Sequence, residues 1–286
     1  MRKKPKKIIL IIILAVVAIA ALFYFFGKQV ANAPEASSRE ATSKQEEVSA
    51  TENSETVSTA LSWSQDQMVN AKVLMYHHIG PLPENPDSVR VGLTVSAEKF
   101  ESQMKYLSDN GYNVITLTEM YDFVAKGTLP EKSVVLTFDD GYSDNYVYAY
   151  PILKKYNMHG TFFIISDFLG RSDTMTQANI VDLYTNGNEI GSHTKTHPSL
   201  EQQNETKATA ELVSSKEYLE KLTGRPVVSL CYPAGKYNDA TMQFAKTAGY
   251  KMAVTTKAGK PFSTNSPFEI PRYRMNPDTN ISTILK

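Results

Sequence analysis

The feature that most constrains the fold is a switch of hydrophobic period that recurs from Lys72 to the C-terminus. Short apolar runs with strand spacing occupy residues 72–79, 113–117, 133–138, 160–165, 189–193, 228–232 and 252–256. Stretches with helical spacing separate them. Phe100, Met104 and Leu107 follow Ser96, a helix N-cap; Leu212, Leu219 and Leu222 run up to Gly224; Met242, Ala245 and Ala248 follow Asn238 and stop at Gly249. Strand and helix alternating about seven times predict an α/β fold, a parallel sheet covered by helices.

The chain ahead of this region has a different character. Residues 8–26 are 19 successive uncharged residues, enough to span a hydrocarbon core of about 30 Å. The tip before them carries Arg2, Lys3, Lys4, Lys6 and Lys7 and no acid. By the positive-inside rule the tip (1–7) stays in the cytoplasm, residues 8–27 form a transmembrane anchor, and everything after them is extracellular. Ala31-Asn32-Ala33 resembles a signal-peptidase site. The apolar run is longer than a usual signal core, however, and Pro34 would be the first mature residue, so the uncleaved anchor is the expectation. Residues 28–66 are rich in Ser, Thr, Glu, Ala and Gln and poor in large apolar side chains, the signature of a disordered stalk with a reach of about 30 Å. Five of the 30 basic residues lie in the tip, which leaves 25 against 30 acidic ones. No basic run marks the remainder, so nucleic acid is not an expected partner. Cys231 is the single cysteine, and the exported domain (67–286) must rest on its core rather than on a disulfide.

Chemistry is concentrated at strand ends. Four of the five histidines are His77, His78, His193 and His197. Asp139-Asp140-Gly141, His193 and Pro233-Ala234-Gly235 each close an apolar run, and the C-terminal rim of an α/β barrel is where sites are built. Two imidazoles four residues apart share a helix face, and a tight loop converges them as well. With one carboxylate they make a three-ligand metal site that leaves a position for water, and a second carboxylate is free to act as a base. An Asp-Asp-Gly by itself is more often a turn; its occurrence together with the histidines carries the metal-site reading.

Thr137-Phe138-Asp139-Asp140-Gly141 and His193-Thr194-Lys195-Thr196-His197 resemble the first two signature motifs of the carbohydrate esterase family 4 polysaccharide deacetylases, the NodB-homology domain. The resemblance implies a distorted (β/α) barrel of about seven parallel strands. It makes Asp139 the general base and Asp140, His193 and His197 the ligands of one divalent metal, usually Zn2+, with Co2+, Ni2+ or Fe2+ as alternatives. Cys231-Tyr232-Pro233-Ala234-Gly235 departs from the family's Arg-x-Pro-[Tyr/Trp]-Gly motif. Ala234 would still supply a backbone N–H to an oxyanion, Cys231 reads as a buried thiol, and Arg272 or Arg274 is expected to support Asp139 in place of the missing arginine. No histidine follows His197, so the family's C-terminal Leu-x-Leu-His is absent. Val73-Leu74-Met75-Tyr76-His77 has its shape instead, resembling the permuted subgroup of poly-N-acetylglucosamine deacetylases and making His77 the general acid. His78, on the other strand face, is expected to be a neighbour only. Tyr142, Tyr232 and Tyr237 are candidate sugar-contacting aromatics, since Trp63 precedes the expected domain.

The expectation is a monomeric, membrane-anchored hydrolase of a Gram-positive-type cell surface. It would release acetate from N-acetylglucosamine units of peptidoglycan, a wall-polysaccharide linkage unit or an exopolysaccharide. An O-acetyl esterase of the same fold and a carbohydrate-binding protein with a degenerate site stay open.

Overall fold

The computed structural model describes Trp63 and residues 65–286. The expected tip and anchor, and all but the end of the expected stalk, lie outside these residues. Among the described residues no helix is long and apolar enough to cross a membrane.

Eight strands, β1 (Lys72–Tyr76), β2 (Asn113–Ile115), β3 (Ser133–Phe138), β4 (Thr161–Ile164), β5 (Glu189–Ser192), β6 (Ser229–Cys231), β7 (Met252–Ala258) and β8 (Ile270–Arg274), form one parallel sheet. Seven of them close a ring in the order β1-β8-β7-β6-β5-β4-β3 and back to β1. The closing pair, β1 with β3, runs in register from Lys72 opposite Val134 to Tyr76 opposite Phe138. The other edge of β3 is divided: β2 pairs with its first half, from Ser133 to Val135, and β4 with Thr137 and Phe138. That shared edge distorts the barrel and leaves β2 outside the ring.

Two expectations change here. The run at 113–117 is not a ring strand, and it stops at Ile115 because Thr116 caps a helix through a capping box with Glu119. The seventh ring strand is β8, whose pattern is interrupted by Pro271, a residue that cannot donate to a ladder. The β7–β8 register slips between Val254 and Ala258, the irregularity in which the proline sits.

Six of the eight α-helices among the described residues are α1 (Ala97–Asp109), α2 (Leu117–Lys126), α3 (Tyr150–Lys155), α4 (Gln177–Thr185), α5 (Glu205–Thr223) and α6 (Asp239–Thr247); the short helices Ser88–Leu93 and Ile281–Ile284 are the others. Ser96 and Asn238 cap α1 and α6 as expected, accepting from the N–H of Lys99 and Thr241, and each cap contributes about 1 kcal/mol. Gly224 closes α5 in the left-handed conformation, φ 70°.

Strand alternation sorts the apolar residues into two clusters. Leu74, Leu136, Phe162 and Leu230 pack under Phe100, Leu183 and Leu212 of the helices. Their neighbours Val73, Val135, Phe163, Cys231 and Val254 face the barrel interior. Helix α2 is the exception among the helices, because Leu117, Met120, Tyr121 and Val124 join the inner cluster. It plugs the barrel end where the strands begin; there Glu189, the first residue of β5, accepts the N–H of Thr118 at 2.7 Å. Trp63 stacks on Tyr121 with ring centroids 4.9 Å apart and donates Nε1–H to its carbonyl at 3.0 Å. The tryptophan therefore belongs to the folded domain, at the end away from the motifs.

The interior has no room to spare at Gly191. A Cβ there would lie 2.5 Å from the Phe163 ring and 2.7 Å from Ser229 Oγ. Gly191→Ala is expected to cost about 1–3 kcal/mol by overpacking, read from the urea unfolding midpoint. An unchanged midpoint would show that the Phe163 ring can yield.

Candidate metal centre and active site

The inward face of each strand continues into the rim. Val73, Met75 and His77 share that face, as do Val135, Thr137 and Asp139; Gly191 and His193; Ser229 and Cys231; and Ile270 and Arg272. The apolar interior is thus topped by a layer of polar, reactive side chains.

Asp139 and Arg272 are its centre, 2 % and 1 % exposed. The guanidinium grips the carboxylate with two bonds of 2.7 Å, one to each oxygen. Its remaining donors go to the Thr255 carbonyl at 2.9 Å, Thr137 Oγ1 at 2.9 Å and Cys231 Sγ at 3.3 Å. All five N–H groups are matched, the condition for burying such a charge. Burial by itself would raise the Asp139 carboxyl; the Arg272 charge and its hydrogen bonds outweigh that and hold it well below the usual carboxylate range. Of the two arginines expected to support Asp139, Arg272 does so, while Arg274 ends the strand exposed. Cys231 is a buried thiol whose pKa burial pushes up.

Asp140, His193 and His197 converge beside this pair. His193 Nε2 and His197 Nε2 lie 3.2 and 3.5 Å from Asp140 Oδ1. Two ligands of a tetrahedral zinc stand about 3.3 Å apart, so the donors have the spacing a metal needs. The tautomer fits as well. His193 Nδ1 is 2.7 Å from the Cys231 carbonyl, which can only accept, so Nδ1 carries the hydrogen and Nε2 offers its lone pair. Burial opposes charge on His193, yet the hydrogen bond and charge of Asp140 beside it raise its pKa well above the ordinary imidazole value. A second set, Asp139, His193 and Cys231, is also close-spaced, but the Arg272 charge already fills it.

The histidine pair converges through a loop, not a helix. Thr194 and His197 take left-handed conformations, φ 67° and 64°, as does Asp140 at φ 71°. The loop is pinned by Thr194 Oγ1, which accepts from His197 N at 3.1 Å, and by Glu211 of α5, which accepts from Thr196 N and Oγ1.

His77 Nε2 stands 3.9 Å from Asp139 Oδ2. Burial lowers the His77 pKa, and the attraction of Asp139 and Asp140 only partly offsets this. Ala234 lies in the tight turn after β6 at φ 51°, a turn closed by the N–H groups of Gly235 and Lys236 rather than by its own. The three tyrosines differ. Tyr142 is half-buried, and burial together with the nearby Asp140 charge pushes its pKa up. Tyr237 is half-buried and donates to Glu269 at 2.8 Å. Tyr232 is 1 % exposed and stacked on Tyr237, so it has no ring face to offer a sugar: being next to inward-facing Cys231, it points outward into the core. His78 is more than a neighbour, since it is buried in contact with Asp144, Arg90 and Tyr142, partners no sequence pattern marks.

The sequence profile of the polysaccharide deacetylases matches residues 126–253. Bacillus subtilis YxkH, a provisionally assigned polysaccharide deacetylase, is 35 % identical over 206 residues, 72 % of this chain and 71 % of that one. A Staphylococcus aureus poly-β-1,6-N-acetyl-D-glucosamine N-deacetylase is 31 % identical over 199 residues, 65 % of this chain and 69 % of its own. The solved structure of the Streptococcus pyogenes deacetylase PplD in complex with acetate superposes with a TM-score of 0.71 at 32 % identity, covering 77 % of this chain and 100 % of that one.

Arg272→Met would strand a buried carboxylate and is expected to cost about 3–5 kcal/mol at neutral pH. Because the native Asp139 pKa is depressed, the pair's contribution is full above the unfolded value of about 3.9 and is lost as pH falls through the native one. In the variant, burial acts unopposed and favours the protonated acid, so the deficit should shrink as the medium is acidified. Unfolding free energies measured across pH check this; a deficit that does not vary with pH would mean that Arg272 acts by packing alone.

Proposed function

Because the chain belongs to the polysaccharide deacetylases, we propose that it is a metal-dependent hydrolase that removes N-acetyl groups from N-acetylglucosamine units of a cell-surface polysaccharide. The observation that carries this reading is the metal-spaced set Asp140, His193 and His197 beside an ionised Asp139 and the His77 imidazole. The printed activity of the Staphylococcus aureus relative supports the N-acetylglucosamine polymer as substrate class. The absent motif arginine, the main reason to suspect a degenerate site, loses its force because Arg272 occupies that role in space.

Asp140, His193 and His197 would hold a divalent ion, zinc being the first choice for two imidazoles and a carboxylate, and it would supply Lewis acidity toward water and the acetyl carbonyl. Asp139 takes the proton of the attacking water. Arg272 keeps that carboxylate ionised and oriented, at some cost in its basicity. The Ala234 N–H donates to the carbonyl oxygen as negative charge develops there. His77 protonates the departing nitrogen as the C–N bond breaks. The acetyl carbon keeps the hydroxyl of water, so the products are acetate and a glucosamine unit left in its polymer.

The same reading places the catalytic domain outside the cell, tethered by residues 8–27, with peptidoglycan, a linkage unit or an exopolysaccharide within reach of the stalk. N-terminal sequencing of the mature protein tests this: a chain that begins near Pro34 would replace the anchor with a signal peptide.

The chemistry is tested by acetate release from N-acetylglucosamine oligomers against acetylated xylan, with metal content measured alongside. His193→Ala and His197→Ala should lose the metal. Asp139→Asn should keep it and lose about 10²–10⁴-fold in turnover. The rate should fall as pH rises through the His77 pKa, which burial places below the ordinary imidazole value. His77→Ala should abolish amide cleavage yet spare an activated aryl acetate, whose leaving group needs no proton. Equal losses on both substrates would remove His77 as the acid, and preference for xylan would make the protein an O-acetyl esterase.

A further inference from the structure

His77 stands in a gap between two ladders. β1 ends at Tyr76, and pairing resumes only at His78–Ile79, which join Thr94–Val95 in a separate two-stranded sheet. No side chain among the described residues orients the His77 ring by a hydrogen bond. Its Nδ1 is buried without a partner, and its Nε2 is 3.9 Å from Asp139, beyond hydrogen-bond reach. An acid that must meet a departing nitrogen has to be held in place, and here the hold falls to the backbone.

The segment that follows β3 supplies it. Asn145, 0 % exposed, donates from Nδ2 to the His77 carbonyl at 2.9 Å. Asp144 grips the next residue, with Oδ2 lying 2.7 Å from His78 Nδ1. Arg90, from the rim helix Ser88–Leu93, completes that grip, 3.1 Å from the same oxygen and 3.0 Å from His78 Nε2. A guanidinium can only donate, so Nε2 accepts, Nδ1–H donates to Asp144, and the His78 ring is fixed. On the other side of His77, the Tyr76 carbonyl accepts the Asp139 N–H at 3.0 Å. Three successive residues, Tyr76, His77 and His78, are thus tied to residues 139–145, the stretch that carries the base and the ligand Asp140. Asn145 does this at a cost, since its own Oδ1 is buried and unpartnered, which a residue kept for stability alone would avoid.

We propose that Asn145 is a positioning residue for the acid: by holding the His77 carbonyl, while Asp144 holds His78, it fixes the imidazole beside Asp139 through the backbone. The proposal rests on the reading of His77 as the acid given above. It ties acid and base to one segment, so their spacing does not depend on a bond between the two rings of charge. A misplacement of about 1 Å can cost a hundredfold in rate, which sets the scale of the effect.

Steady-state kinetics of the purified protein on two substrates test this. Asn145→Leu keeps most of the volume and removes the donor; Asn145→Ala removes both. Each should lose about 10- to 100-fold in kcat on N-acetylglucosamine oligomers with KM unchanged, while holding as much zinc as the parent. Each should lose far less on an activated aryl acetate, whose leaving group needs no proton. Equal losses on both substrates, or full amide turnover in Asn145→Leu, would overturn the proposal and make Asn145 a packing residue. His77→Ala separates the two readings. If it spares the aryl acetate while Asn145→Leu slows both substrates alike, the acid stands and the proposal falls. If His77→Ala itself harms both alike, the acid reading fails and the proposal with it. If Asn145→Leu does not fold, Asp144→Ala loosens the same strand end from a partly exposed side. A loss there confined to the amide supports the proposal; no loss, or an equal one on both substrates, defeats it.

Discussion

Asp139 and Arg272 meet inside the barrel, and much of the rim depends on how that pair is satisfied. Each charge costs several kcal/mol to bury, and the attraction between them offsets this only when every remaining donor is matched. Here the matching ties four strands together: Asp139 and Thr137 extend from or lie on β3, Cys231 is on β6, Thr255 on β7 and Arg272 itself on β8. A well-packed apolar layer would hold such a barrel at least as well. The ion pair keeps a carboxylate ionised where the interior would otherwise neutralise it, and that is a requirement of chemistry rather than of folding. Cys231 contributes by being small enough to sit within 3.3 Å of the guanidinium.

Around this pair the rim carries backbone strain that the barrel below can support. Asp140, Thr194, His197 and Ala234 all adopt left-handed conformations, and each is a residue or a direct neighbour of a residue assigned to the site. Such conformations persist only where surrounding contacts over-determine them. The contacts are visible: Glu211 of α5 on the histidine loop and the Cys231 carbonyl on His193. The donors are therefore held ready by the protein.

A closed ring also explains how His77, near the start of the domain, comes to stand at the centre of the rim layer. β1 lies between β8 and β3, so His77 stands beside Asp139 although 62 residues separate them in the chain. The site depends on which strands are neighbours in space, and a ring has no first strand. Relocating one strand along the chain leaves those neighbours intact as long as both connections can be made.

Much was legible without coordinates, because it is local. Alternation of period predicts strands and helices, Ser96, Asn238 and Gly224 mark helix ends through their own hydrogen bonds and φ angles, and Asp139, Asp140, His193 and His197 lie within two short motifs. Strand parity likewise separates His77 from His78, and it could have turned Tyr232 away from the site. What tertiary structure alone decided is long-range. Pro271 hid β8, and nothing in the 113–117 run says that β2 would share an edge with β4 instead of joining the ring. Parity cannot choose between Arg272 and Arg274, two residues apart on the same face; their height along the barrel does, and only the closed ring sets that height. The partners of His78 come from a rim helix and from the segment that follows β3, brought together by packing. Local patterns specify which way a side chain points, but distances across a barrel follow from closure, and closure belongs to the whole chain.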